Sequence, residues 1–195
     1  MSDKKGKYIV VDTETTGLLV GINGICEIAA AVLDKDLEII DTISFDVNPG
    51  NKKINEESLK INHFTLERIA AGLNYSESCA KLSIFVRQYF DDTPTYIAQF
   101  FPFDYSFLND MFVSCNMEDE CQFLFKNKFI DTKSIAIFAN LRAETLGNPL
   151  PFARSTSLSN PGGIKEIFDI KGHESHTALG DVLATREALI HLLKM

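Results

Sequence analysis

Three apolar segments of strand length follow a polar stretch at the start of the chain. They cover residues 8–12, 25–33 and 37–47, and the polar turn 34–36 joins the second to the third. The first segment ends where acidic and glycine-containing sequence begins. Because no helical periodicity separates these segments, the pattern predicts three consecutive strands paired as an antiparallel meander.

Helical periodicity dominates after the turn at residues 48–51 and alternates with two short strands. Asn74 and Glu77 have the spacing of a capping box at the start of one helix. Asn160 and Pro161 suit the N-cap and first position of another. The predicted helices cover residues 56–62, 65–72, 74–90, 103–113, 132–142, 160–168 and 177–193, and the short strands cover 95–98 and 129–130. Three strands followed by alternating strands and helices predict an α/β fold with a mixed β-sheet flanked by helices.

Length and composition fit one globular domain. The chain has 195 residues, 45% of them hydrophobic and 24% charged, so a full core is expected. We divide it into a polar N-terminal tail, residues 1–7, and a single domain, residues 8–195. The first apolar run is interrupted at Asp12, too early for a signal peptide or a membrane span. We therefore expect a cytoplasmic protein with no membrane partner.

The net charge of −8 argues against strong electrostatic binding to long duplex DNA, which depends on Lys and Arg contacts to phosphates. Some of the acidic residues are candidate metal ligands, whose charge bound cations would neutralise. A local basic patch is also open to the chain, from Lys52, Lys53, Lys60, Arg68, Lys126, Lys128, Lys165 and Lys171. These features favour a short contact with a strand end over a long duplex interface.

Asp12 and Glu14 form the first candidate site. They are two residues apart, so on a strand both side chains point to the same side. Two neighbouring carboxylates repel each other unless a cation lies between them, and hard divalent cations take oxygen ligands. The alternative is a solvated strand end. The apolar residues Val10 and Val11 and the tight turn at residues 15–17 disfavour it.

Asp104, His176 and Asp181 are candidates to join this pair. Asp104 begins a helix after a short strand, a position that either complements the helix dipole or brings the carboxylate to the sheet edge near Asp12. His176 and Asp181 lie about 140° apart on a regular helix, so they converge only if His176 precedes the helix. Four carboxylates and a histidine suit two-metal phosphodiester hydrolysis, in which ions about 3.5–4 Å apart stabilise the attacking and leaving oxygens.

The chain has fifteen Phe and no Trp, and most of these rings belong in a core. Phe64 and Phe100 adjoin the acidic motifs. Either ring could stack on a nucleic-acid base, an interaction of roughly 1–3 kcal/mol. A core position is the equally open alternative for each.

Taken in order, these motifs resemble the DEDDh exonucleases, the family of proofreading epsilon subunits and their standalone relatives. Val11-Asp12-Thr13-Glu14-Thr15-Thr16-Gly17-Leu18 is similar to the first motif, Phe103-Asp104-Tyr105-Ser106-Phe107-Leu108 to the second, and His176-Thr177-Ala178-Leu179-Gly180-Asp181 to the third. The resemblance implies a ribonuclease H-like fold and two Mg²⁺ or Mn²⁺ ions. Its implied ligands are Asp12, Glu14, Asp104 and Asp181, with His176 as the base that deprotonates the attacking water.

The same resemblance implies a substrate-binding side made of Thr15, Leu18, Asn62, Phe64 and Phe100. This side departs from the family pattern. Gln99-Phe100 replaces the His-Asn that many members carry, and Asn62-His63-Phe64 replaces a frequent His-Gly-Ile. These changes leave the implied metal ligands intact and leave the choice between DNA and RNA open.

The function implied is a 3′→5′ exonuclease that releases 5′-mononucleotides from single-stranded or frayed 3′ ends in proofreading or repair. DNA is favoured over RNA as the partner nucleic acid, and a DNA polymerase is a candidate protein partner. An RNA-trimming exoribonuclease of the same family is the first alternative. A non-catalytic module that binds nucleic acid or a polymerase is the second, and the loss of an acidic ligand would mark it.

Overall fold

A computed structural model describes residues 6–125, 128–173 and 176–195 of the chain. Its five strands form one sheet in the order β3-β2-β1-β4-β5. Their bounds are β1 Tyr8–Thr15, β2 Ile25–Leu33, β3 Ile39–Asp46, β4 Thr95–Ala98 and β5 Phe129–Asp131. The first three strands pair antiparallel, whereas β4 pairs parallel with both β1 and β5. The predicted meander and the mixed sheet are therefore confirmed, in the ribonuclease H-like arrangement.

Helices cover both faces of this sheet. Within the described residues they are α1 Glu56–Ile61, α2 Leu66–Ala71, α3 Tyr75–Tyr89, α4 Phe101–Ser114, α5 Glu118–Phe125, α6 Thr132–Thr145, α7 Ile164–Ile167 and α8 Ala178–Leu192. The capping box predicted at Asn74 and Glu77 is present at the start of α3. None of these helices is both long and apolar enough to cross a membrane.

Alternation along β1 assigns its residues to two different layers. Ile9 and Val11 pack into the cluster that contains Leu82 of α3 and Met111 of α4. Val10 packs on the opposite face, in the cluster that contains Val182 of α8. Because side chains alternate along a strand, Asp12 and Glu14 share the face of Val10 and point towards the layer of α8.

Three of the differences between the structure and the prediction affect more than the ends of a helix or the length of a turn. β1 continues to Thr15, three residues past the predicted end, so Asp12 and Glu14 lie within the strand. The helix α5 was not predicted. The predicted helix at residues 160–168 is wrong in its first part, because Asn160 accepts a turn hydrogen bond from the Gly163 amide and α7 begins only at Ile164, with Gly163 as its N-cap.

Candidate active site

Three carboxylates converge between β1 and the first turn of α8. One oxygen from each of Asp12, Glu14 and Asp181 lies within 4.8 Å of the other two. The alternation of side chains along β1 places Asp12 and Glu14 on one face of the sheet. The packing of α8 against β1 and β2 places Asp181 on the same face. The three side chains are partly buried. This is the arrangement of oxygen donors that a hard divalent cation takes up.

Asp104 approaches the same region from the opposite layer. It lies in the first turn of α4 and is 3% exposed. Its Oδ1 accepts hydrogen bonds from the Thr13 backbone amide at 2.9 Å and from the Thr13 hydroxyl at 2.8 Å. Thr13 lies between Asp12 and Glu14 and faces the α4 layer. The fourth predicted ligand therefore lies beside the group of three and is fixed to the strand that carries two of them.

Burial without a cation raises the pKa of all four carboxyl groups. Desolvation is the largest cause in each case, and neighbouring carboxylates add to it. The pKa of Asp12 is raised well above its ordinary value, that of Glu14 to about 8, and that of Asp104 to about 7 despite its hydrogen bonds from Thr13. The pKa of Asp181 is raised as well, an effect that Lys165 and His176 oppose.

The residues fit a bound divalent ion. Oδ1 of Asp181 is buried, yet it accepts no hydrogen bond from the part of the chain that the structure describes. A buried carboxylate oxygen without a donor is costly unless a cation or water satisfies it. Because this oxygen belongs to a residue that meets Asp12 and Glu14, a metal ion explains all three side chains together.

His176 lies before α8, as convergence with Asp181 requires. The helix begins at Ala178 with Thr177 as its N-cap. The backbone of His176 hydrogen-bonds the carboxylate of Asp181, and His176 has a left-handed φ of 63°. A non-glycine residue in that region is uncommon and is often found at functional sites.

His173, a histidine three residues before His176, is engaged elsewhere. Its Nε2 lies 2.9 Å from Oε1 of Glu187, and its side chain is 15% exposed. Glu187 lies six residues along α8 from Asp181. This contact ties the segment that precedes α8 to the helix itself.

Two of the five predicted substrate residues are buried beside Glu14. The Thr15 hydroxyl donates to the Gly17 carbonyl at 2.7 Å. The amide group of Asn62 donates to the Thr15 carbonyl at 3.2 Å, and a hydrogen bond from Asn62 lowers the pKa of Glu14. Both residues thus support the strand end in this structure. Leu18 is different, because 76% of it is exposed at the start of the loop that follows the first motif.

Phe64, predicted as a substrate contact with a core position as the open alternative, lies in the core. Phe64 is 5% exposed and packs with Cys26, Leu59 and Ile69. The guanidinium of Arg68 covers its ring at 3.7 Å from the centroid. The side chain is apolar enough to complete a small core under α1 and α2, and that burial leaves no face for a base.

Phe100, in contrast, has an exposed ring. It is 44% exposed, and Lys133 Nζ lies 4.1 Å from the ring centroid. Its backbone is left-handed, with φ 67° and ψ 56°, and its amide donates to Asp131 Oδ1 at 2.8 Å. Asn tolerates this conformation better than Phe, for which it costs about 1–2 kcal/mol. A strained and exposed aromatic residue at the start of α4 is typical of a functional position.

The basic residues named from the sequence do not form one unpaired patch. Lys52, Arg68 and Lys171 pair with Asp110, Asp46 and Asp169, respectively. Lys165 lies close enough to Asp181 to lower its pKa. Lys126 lies outside the described residues.

Sequence reasoning missed two acidic residues that organise the site. Asp131 holds the backbone of Phe100, and Glu27 is 5% exposed on β2, where it faces Glu14 across the strand pair. A signal for Glu27 was available, because a single acidic residue interrupts the apolar run at residues 25–33. Such a residue is rarely buried unless it is paired.

The chain is similar to known exonucleases over nearly its whole length. A family model described as Exonuclease, RNase_T, matches residues 9–189. A DNA polymerase III of the PolC type from Pediococcus pentosaceus is 26% identical over 204 residues, which cover 96% of this chain and 13% of the polymerase. A second PolC-type polymerase, from Mycoplasmopsis pulmonis, is 30% identical over 114 residues, covering 58% of this chain and 8% of that protein. The chain therefore spans only a small part of these relatives.

Solved structures share the fold. Exonuclease I of E. coli in complex with a dT13 oligonucleotide superposes with a TM-score of 0.76 at 18% identity, covering 97% of this chain and 41% of that one. A 3′-exonuclease described as recognising the 3′ end of a histone mRNA stem-loop gives a TM-score of 0.70 at 14% identity, covering 97% of this chain and 64% of that one.

Glu14→Gln should change how the stability of the metal-free protein depends on pH. The folded-state pKa of Glu14 is raised from 4.5 to about 8, so folding is favoured by proton uptake. The stabilisation is full below pH 4.5 and is lost as the pH rises through about 8. Thermal unfolding in EDTA should therefore show the wild-type Tm falling over this range, with a shallower fall and a higher Tm at alkaline pH for Glu14→Gln.

Glu144→Gln provides the matched control for this measurement, because Glu144 is an exposed carboxylate on α6. Its pH profile should match the wild type. Added Mn²⁺ should raise the wild-type Tm at alkaline pH more than that of Glu14→Gln. Identical pH profiles for the wild type and Glu14→Gln would contradict the electrostatic account.

Proposed function

Because the chain belongs to the exonuclease family, as a DEDDh-type domain, we propose that it hydrolyses phosphodiester bonds at single-stranded or frayed 3′ ends and releases 5′-mononucleotides. One observation carries the proposal. Asp12, Glu14 and Asp181 bring their oxygens together, and a buried oxygen of Asp181 has no hydrogen-bond donor among the described residues. Acidic residues in this arrangement offer the oxygen ligands that a hard divalent cation prefers.

The proposed ligands are Asp12, Glu14, Asp104 and Asp181, and the proposed ions are two Mg²⁺ or Mn²⁺. When bound, such ions stabilise the attacking and leaving oxygens of an in-line displacement. His176 would take the proton from the attacking water, since an imidazole is a suitable base near neutral pH. Asn62 and Thr13 would hold Glu14 and Asp104 in place through the hydrogen bonds that they already make.

The proposed substrate is the 3′ end of a single strand, with DNA favoured over RNA. A net charge of −8 suits a short contact better than a long duplex interface. The PolC-type relatives support DNA, whereas the neighbour described with a histone mRNA stem-loop supports the RNA alternative. A polymerase as partner, a role in proofreading or repair, a cytoplasmic location and a single exonuclease domain over residues 8–195 remain parts of this proposal.

Phe100 and Leu18 are the proposed contacts to the strand end. Both side chains are exposed. Leu18 ends the motif that carries Asp12 and Glu14, and Phe100 precedes the motif that carries Asp104. The ring of Phe100 offers a face to a base, while Lys133 beside it offers a positive charge to a phosphate. Thr15 and Asn62 would act on the substrate through the backbone that they fix.

Loss of any proposed ligand should abolish hydrolysis. Asp12→Ala, Asp104→Ala and Asp181→Ala should each remove nearly all activity and keep the fold, since removing one of several clustered negative charges relieves repulsion in the metal-free protein. The assay is a degradation ladder on 3′- and 5′-labelled DNA and RNA oligonucleotides, with and without Mn²⁺. Asp119→Ala, on the exposed start of α5, is the control and should act like the wild type. Full activity in excess EDTA would refute two-metal hydrolysis.

Phe100→Asn should separate binding from stability. Asn relieves the left-handed strain at this position, so the Tm should stay equal or rise. Binding of a single-stranded oligonucleotide should weaken by about 1–3 kcal/mol if a base stacks on the ring, seen as a higher KM. Phe64→Leu is the contrasting variant, expected to lower the Tm and leave KM unchanged because Phe64 is buried. An unchanged KM in Phe100→Asn would exclude stacking there.

His176→Ala should cut kcat by roughly 10²–10⁴-fold, the usual contribution of a positioned acid–base group. KM and the affinity for Mn²⁺, measured by calorimetry, should change little, since His176 is not a proposed ligand. His173→Ala should leave kcat near the wild-type value and lower the Tm, because it removes the contact to Glu187. A large kcat loss in His173→Ala, with His176→Ala close to wild type, would overturn the assignment of the base.

A further inference from the structure

Glu27 is a fifth carboxylate at the site, outside the proposed ligand set. It is 5% exposed in the middle of the sheet. In the strand register it stands opposite Glu14 on one side and opposite Asp46 on the other. Side chains directly opposite each other share a face of the sheet, and like charges placed so are destabilising. A row of three carboxylates therefore crosses β1, β2 and β3, and the fold must offset its repulsion.

Arg68 of α2 offsets the outer part of this row. Its Nε and one terminal nitrogen donate to the two oxygens of Asp46 at 2.8 and 2.7 Å. The same terminal nitrogen lies 3.7 Å from Oε1 of Glu27. Oε1 of Glu27 also accepts from the Ser44 hydroxyl at 3.0 Å. One oxygen of Glu27 is thus turned towards β3 and α2, away from the proposed metal ligands.

The second oxygen of Glu27 reaches the helix that carries Asp181. Oε2 accepts a hydrogen bond from the backbone amide of Ala178 at 3.1 Å. Ala178 is the first residue of α8, and the amides at the start of a helix lack partners within it. A carboxylate at that end also complements the helix dipole. This contact joins β2 to α8 between His176 and Asp181.

We infer that Glu27 is a positioning residue for the proposed hydrolysis: it anchors the first turn of α8 to the sheet and so sets Asp181 and His176 against Asp12 and Glu14. Both of its oxygens are occupied by protein donors, which is why it is not counted as a ligand. Arg68 supplies a counter-charge to this buried carboxylate at 3.7 Å. The expected effect on catalysis rests on the proposed function. The anchoring of α8 to the sheet rests only on the hydrogen bond from Ala178 to Glu27.

Two variants of similar volume test this role. Glu27→Gln keeps an oxygen that can accept from Ala178, whereas Glu27→Leu removes every acceptor. kcat should fall in the order wild type, Gln, Leu, with a loss of about 10²-fold for Leu, the effect of displacing catalytic groups by ~1 Å. KM should change little, because the strand-end contacts lie elsewhere. Amide hydrogen exchange followed by NMR should show faster exchange at Ala178 in the same order, without substrate or metal.

Glu77→Leu is the matched control, since Glu77 also accepts a backbone amide at a helix start, that of Asn74 at 3.0 Å. It should speed exchange at Asn74 and leave kcat unchanged. A wild-type protein without nuclease activity would refute the proposed function, while faster exchange at Ala178 in the variants would still support the anchor. Unchanged exchange at Ala178, or a wild-type kcat in Glu27→Leu, would overturn the inference. Should Glu27→Leu fail to fold, Glu27→Gln alone decides both measurements.

Discussion

The repulsion among buried carboxylates is the constraint on which the rest of this structure depends. Asp12, Glu14 and Asp181 are close enough for one cation to touch all three, and burial raises the pKa of each. In the metal-free protein this arrangement opposes folding, so other contacts must hold it. The apolar packing of α8 on β1 and β2 holds Asp181 against the strand pair, and Thr13 fixes Asp104. These contacts fix the positions of the carboxylates, which lowers the ordering cost of binding a cation between them.

The alternation of side chains along β1 places neighbouring residues in two different layers. Even-numbered residues of β1 meet α8 and odd-numbered residues meet α3 and α4. Asp12 and Glu14 therefore belong to one layer and Thr13, with Asp104, to the other. A shift of β1 by one residue would exchange the two sets and separate every carboxylate from its neighbours. A register shift between Glu14 and Thr15 ends this regular pairing just before the exposed loop.

The parts that sequence predicted well are those set by local pattern. The apolar strands, the capping box of α3 and the start of α8 each carry their signal within a few residues. The start of α7 and the burial of Phe64 depend on distant contacts instead. At α7 the Asn160-Pro161 pair has the right residues for a helix start, yet a turn to Gly163 uses the Asn160 carbonyl first. At Phe64 the distant partner is Cys26 on β2, and the Arg68 guanidinium that covers the ring is held by Asp46 on β3.

The candidate site divides in the same way. The acidic residues of the site could be predicted from the sequence, because each lies on a strand or helix whose position the core fixes. The contacts to a strand end lie on loops and helix starts, where Leu18 and Phe100 are exposed and Phe100 is strained. Substitutions at these exposed positions alter few buried contacts, so the fold accommodates them. This explains how Gln99-Phe100 can stand where many DEDDh exonucleases carry His-Asn while the hydrogen bonds from Thr13 still hold Asp104 nearby.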